Sequence, residues 1–248
     1  MKKSLKELLK YQVETEDGKK ASIDDFLFDE EKWFVRYMKV DFGNHLFSDQ
    51  VIIPRTLLTK SLWDKNLFLV KTDLESIRKY PKVKEHLPVS REYEQQLHDF
   101  FGLTPYWLNA YTVPLASAFY PSQPIHVPES LEKKNDDNPI LRSFNEVENY
   151  QIETEDGTFG HIEDLIIDDL YWQISFAVVD TSNWMPWSKK VLVPIEMLDT
   201  ISFANKKVRF SLDMDIIKEA PVYVSVDGVD KLYEQEIHDY YTARVPQE

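Results

Sequence analysis

The chain has 248 residues and a net charge of −14, is 43% hydrophobic and 13% aromatic, and contains no cysteine and only 6 glycines. That excludes disulfides, thiolate nucleophiles and cysteine-bearing zinc sites, and it disfavours a glycine-rich phosphate loop. The start, MKKSLKELLKYQVETEDGKK, lacks an apolar run of secretory length, and no window approaches the ~18 uncharged apolar residues of a membrane span, so a cytoplasmic protein is expected.

From residue 11 the chain writes one unit, and it writes it again from residue 150. YQVETEDGKKASIDDFLFDEEKWFVRYMKVDFGN (11–44) aligns without a gap on YQIETEDGTFGHIEDLIIDDLYWQISFAVVDTSN (150–183), at an offset of 139. After one inserted residue the offset becomes 140. VIIPRTLL (51–58) then meets VLVPIEML (191–198), and YEQQLHDFF (93–101) meets YEQEIHDYY (233–241). Two copies this long are a tandem duplication of a small domain, since solenoids need at least three short units. The expected domains are 1–103 and 140–248, with a connecting segment at 104–139.

Within each copy, the first elements read as strands. YQIET alternates, EDG supplies a turn, and FGHIEDLIID and WQISFAVVD are runs of Ile, Val and aromatics around a polar corner. KVLVP is a short strand that Pro194 stops, IEMLDTISF a turn or short helix, and KKVRFSLD another alternating strand. Five or six short strands joined by tight turns predict a mainly β (α+β) chain built of two tandem small barrels. Short helices should follow, capped by Asp73 and Asp213 and ended by Pro81 and Pro221. In the nonamer, Tyr93, Leu97 and Phe100 or Phe101 form an apolar stripe, repeated by Tyr233, Ile237 and Tyr240 or Tyr241. Glu94/His98 and Glu234/His238 read as exposed i, i+4 pairs on the opposite face, not as half of a metal site, and no metal or cofactor is expected.

The connecting segment 102–128 is punctuated by proline yet rich in aromatics. It should lie as a strap across a surface, anchored by Tyr106, Trp107, Tyr111, Phe119 and Tyr120. A strap that crosses to a second chain would give a homodimer. In the second copy, TSNWMPWSKKV offers a candidate protein-contact patch: Trp184, Met185, Trp187, Lys189 and Lys190. The first copy has the less bulky FGNHLFSDQ there.

Residues 160–194 resemble the PRC-barrel family, named for the cytoplasmic domain of the photosynthetic reaction centre H subunit and found also in ribosome maturation factor RimM. The resemblance is carried by Gly160, Ile162, Asp164, Asp168, Trp172, Val179, Asp180, Trp184, Val191 and Pro194. The first copy departs from it, with Ala21 in the place of Gly160. What the resemblance implies is a small barrel acting as a non-catalytic docking or stabilising module with no cofactor of its own.

Charge separates the copies. Residues 1–103 carry 18 basic and 18 acidic residues, whereas residues 140–248 carry 9 and 21, a balance of −12. Such a surface repels nucleic acid, so DNA is not expected as a partner, and a basic protein is. No histidine pair, G-x-S-x-G elbow or phosphate loop suggests catalysis. The expected function is protein interaction. The alternatives are a small-molecule or metal-dependent enzyme using acidic residues such as Asp168 and Asp169 near a barrel mouth, and an RNA-associated factor acting through the neutral first half.

Overall fold

Alternating strands need partners on both edges, and the pairing found is not the one that two separate units would make. The computed structural model describes residues 1–43, 48–79, 91–105, 141–182 and 189–244. The chain begins with strand β1 (Lys2–Ser4) and helix α1 (Leu5–Leu8), followed by β2 (Gln12–Glu14), β3 (Lys20–Asp29), β4 (Val35–Asp41), β5 (Gln50–Pro54), β6 (Leu58–Leu62) and β7 (Leu67–Val70). Helices α2 (Leu74–Arg78) and α3 (Arg91–Phe101) close the first repeat. The second repeat runs β8 (Leu141–Ser143), α4 (Phe144–Val147), β9 (Gln151–Thr154), β10 (Gly157–Asp168), β11 (Ile174–Asp180), β12 (Lys190–Pro194), β13 (Leu198–Ser202), β14 (Lys207–Phe210), α5 (Met214–Glu219) and α6 (Lys231–Thr242).

The fold is mainly β: two curled sheets of seven strands with the same order, β5-β4-β3-β2-β7-β6 and β12-β11-β10-β9-β14-β13. Neighbours are antiparallel except at β2/β7 and β9/β14. Each path is open at its ends among the described residues, so the sheets are curled and not closed by a complete ring of hydrogen bonds. IEMLDTISF resolves into a 3₁₀ turn, Ile195–Met197, and a full strand, β13. The expected turn or short helix is therefore only half right, because Leu198–Ser202 finds a ladder on β14.

The seventh strand of each sheet comes from the other repeat. β1 pairs with β10 in the register Lys2↔Asp168, Lys3↔Ile167, Ser4↔Ile166. β8 pairs with β3 through Leu27↔Ser143, Phe28↔Arg142, Asp29↔Leu141. The helices that follow carry the exchange into the core: Leu5, Leu8, Phe144 and Val147 are all fully buried. The hairpin corners also interlock. Val35 N donates to Trp172 O (2.9 Å) and Ile174 N to Trp33 O (2.7 Å), while Trp33 and Trp172 both adopt positive φ. One continuous core therefore spans both sheets.

Asp73 caps α2 through Ser76 N, as its position predicts. Asp213 occupies the matching place before α5 without a side-chain cap; Asp156, from the β9–β10 turn, accepts from Met214 N instead (2.8 Å). Gly160 sits at a bulge in β10 with φ +48°, where an added Cβ would stand 2.1 Å from the Asp180 carbonyl oxygen. At Ala21 the first repeat instead pairs regularly with Val13. Gly160→Ala is expected to cost about 2 kcal/mol, from backbone strain and forced movement of β11, measurable by urea unfolding.

Candidate functional site

Two buried aspartates, Asp25 and Asp164, lie where the repeats exchange segments. Ser4 and Ser143 each open a short S-x-x-E helix, accepting from Glu7 N and Glu146 N respectively. Each hydroxyl also donates to a carboxylate in the long strand of the other repeat, Ser4 to Asp164 and Ser143 to Asp25. Asp164 accepts further bonds from Lys6 N (3.0 Å) and Leu165 N (2.7 Å), and Asp25 from Asn145 N (3.1 Å) and Phe26 N (2.8 Å). Both aspartates are buried. Burial is the largest influence on each and outweighs the hydrogen bonds, raising Asp25 and pushing Asp164 from 3.8 up to about 6.

Beside Asp164 a cleft of about 280 Å³ opens between α1, β10 and residues 223–225, lined by Lys6, Lys10, Glu163, Lys190 and Tyr223. Lys6 Nζ meets Glu148 (2.8 Å) and Glu163 (3.0 Å), and Lys190 Nζ meets the same Glu163 oxygen at 3.0 Å. Burial works to lower Lys6, but the two carboxylates outweigh it and the net shift is upward. Glu163 moves down, since its two lysines outweigh its own burial. His161, Glu163 and Asp180 bring ligand atoms within 4.8 Å of one another. Both ammonium groups bind Glu163 Oε1, while Oε2 faces His161 Nε2 at 3.6 Å, and Asp180 Oδ1 accepts from Ser182 N and Oγ.

The nonamer helices correct one expectation. Glu94 and His98 are buried, not exposed: with Leu97, they form the face of α3 turned toward the first sheet. Tyr37 explains the roll of the helix, because its hydroxyl donates to Glu94 (3.1 Å) and lies 3.0 Å from His98 Nε2. A buried phenol gives polar side chains a satisfied place inside. In the second repeat Phe176 stands at that position, and the matching pair separates. Glu234 pairs with Lys2 of β1 (3.0 Å) and His238 with Glu196 (3.2 Å). Of the two alternatives for the last position of the apolar stripe, Phe101 packs against the core and Phe100 is exposed.

Of the candidate contact patch, Trp184, Met185 and Trp187 lie outside the described residues, as do all the strap anchors, Tyr106, Trp107, Tyr111, Phe119 and Tyr120. Lys189 Nζ reaches Lys218 O (2.9 Å) and Lys190 turns into the cleft. Near them Val222 and Val224 are exposed, with Tyr223 N bonded to Lys190 O. Asp168 accepts from Leu170 N and Tyr171 N at the hairpin corner, and Asp169 N donates to Met1 O. Among the described residues no helix is long and apolar enough to cross a membrane.

Sequence reasoning placed Asp164 in a motif but missed its role. The signal was present: an aspartate inside an apolar core strand, at the same place in both repeats, and S-x-x-E recurring at Ser4 and Ser143 with the same offset of 139. No protein-family model matches the chain, and no curated protein matches it.

Proposed function

We propose that this chain is a non-catalytic protein of PRC-barrel type, a cytoplasmic docking or stabilising module whose partner is a protein with a basic surface. One observation supports this reading above the others: the carboxylates best placed for chemistry serve the architecture. Asp25 and Asp164 hold the exchanged segments, Asp168 shapes a corner, and Glu163 is bridged by two lysines. The surface left for function is acidic, with the balance of −12 over residues 140–248, and it carries exposed Val222, Val224 and Leu232. Acidic charge steers a basic partner, and apolar residues give the contact its hold.

Affinity capture from cell extract at low and moderate salt tests this. A basic protein should be retained at low salt, be released at moderate salt, and be weakened by Val224→Asp. Co-purifying ribosomal particles would favour the RNA-associated reading. Turnover of a substrate, abolished by Asp168→Asn and Asp169→Asn together, would replace docking with catalysis.

A further inference from the structure

Arg55 opens the 3₁₀ turn Arg55–Leu57, behind Pro54 at the end of β5. It is half-buried, and its guanidinium makes no hydrogen bond or ion pair with a described residue. Its neighbours line a cavity of about 190 Å³ that includes Arg36, Tyr37, Thr56, His98 and Thr104. Thr56 and Thr104 are exposed and form its rim.

The acidic groups in this region are already engaged. Asp29 binds Arg36 through both Nε and Nη2, and Glu94 accepts from Tyr37. Arg55 thus brings to a partly desolvated site a positive charge that no carboxylate among the described residues pairs with. Burial and the nearby Arg36 both act against that charge, lowering the pKa of Arg55.

The fold does not require this arrangement, as the second repeat demonstrates. The residues there that match Arg36, Tyr37, Arg55 and Thr56 are Ser175, Phe176, Ile195 and Glu196. Ile195 is buried, and Glu196 forms its own pair with His238. The same architecture is satisfied there by an apolar side chain and an internal ion pair. The basic cavity is therefore an addition made in one repeat alone.

We propose that this cavity binds a small oxyanion, a carboxylate or phosphate group, through the guanidinium of Arg55 and the hydroxyls of Thr56 and Thr104. A planar guanidinium matches either group with two parallel N–H donors. The volume holds on the order of six waters, which suits an anion of a few heavy atoms and is too small for a nucleotide.

Thermal unfolding of the full chain, with sodium phosphate or sodium acetate titrated at constant ionic strength against sodium chloride, provides the test. The constant ionic strength matters because any salt screens a net charge of −14. At tenfold excess over half-saturation, at least one anion should raise Tm by about 3–5 °C, and the rise should saturate. Arg55→Met should lose that rise while unfolding, without ligand, at a temperature no lower than the parent, since it removes a half-buried charge that pairs with no described residue. Arg55→Lys should retain part of it. A response to phosphate alone identifies the phosphate class, and a response to acetate alone the carboxylate class. An equal rise in the parent and Arg55→Met, or no saturable rise with either anion, overturns the proposal.

Discussion

Deleting residues 1–9 is expected to unfold the second repeat's sheet, although the deletion lies wholly in the first repeat. The segment supplies β1, the edge partner of β10, and the side chains of Leu5 and Leu8, both fully buried. Burying two leucines contributes roughly 3–6 kcal/mol, against a total stability of about 5–15 kcal/mol for a typical domain. The deletion also removes two of the donors to the Asp164 carboxylate, the Ser4 hydroxyl and Lys6 N. A buried carboxylate stripped of donors adds to the loss. Hydrogen exchange should show β10 and β11 losing protection first, with β3 and β4 retaining more of theirs. Two repeats that folded independently would show the reverse.

The second large effect is a dependence on pH located at Asp164. In the unfolded chain this carboxyl titrates near 3.8; in the folded protein burial raises it to about 6. Below pH 3.8 both states hold the proton, and the contribution to stability is fully present. As pH rises from about 4 to 6 the unfolded chain releases a proton that the native state still binds, so stability falls. The gap between 3.8 and about 6 corresponds to about 3 kcal/mol, lost by pH 7. Asp164→Asn removes that loss. Its amide oxygen still accepts from Lys6 N and Leu165 N, and the Ser4 hydroxyl can turn to accept from the amide nitrogen. Urea unfolding at pH 3.5 and pH 7 should show the variant gaining about 3 kcal/mol on the parent between them. Parallel pH profiles for the two proteins would place the proton elsewhere. Asp25→Asn should act in the same direction, because burial raises Asp25 as well.

Much of this architecture was legible in the order of residues. The alternation in YQIET, KVLVP and KKVRF marks strands because period-two burial is a local property of an extended chain. The duplication is legible too, since matching letters need no geometry. The exchange of β1 and β8 was not legible, because three residues such as Lys2–Ser4 carry too little pattern to say which sheet edge they join. That choice is made by tertiary packing: Leu5 and Leu8 find their core across the seam. The polar face of α3 misled for a related reason. Glu94 and His98 look like solvent residues until Tyr37, 57 positions before Glu94, supplies a buried hydroxyl to meet them. In the second repeat Phe176 removes that partner and His238 is left part-exposed as its letters suggest, although it pairs with Glu196 and not with Glu234. Arg55 was invisible for the opposite reason, since an arginine with no counter-charge among the described residues is noticeable only once its neighbours are known.

The reciprocal exchange is the central claim, and a chain without cysteines allows it to be tested by cross-linking. Directly opposed residues on antiparallel strands have Cα atoms about 4.5–5.5 Å apart, within reach of a disulfide. Cysteines at positions 2 and 168 test the observed pairing of Lys2 with Asp168. Cysteines at positions 2 and 29 test the alternative in which β1 takes, on its own repeat, the place that Leu141 holds opposite Asp29. Mild oxidation, followed by electrophoresis without reductant, should give an intrachain cross-link for 2/168 and none for 2/29. An intrachain cross-link for 2/29 with none for 2/168 would mean that each repeat keeps its own first strand, and the exchange would be wrong.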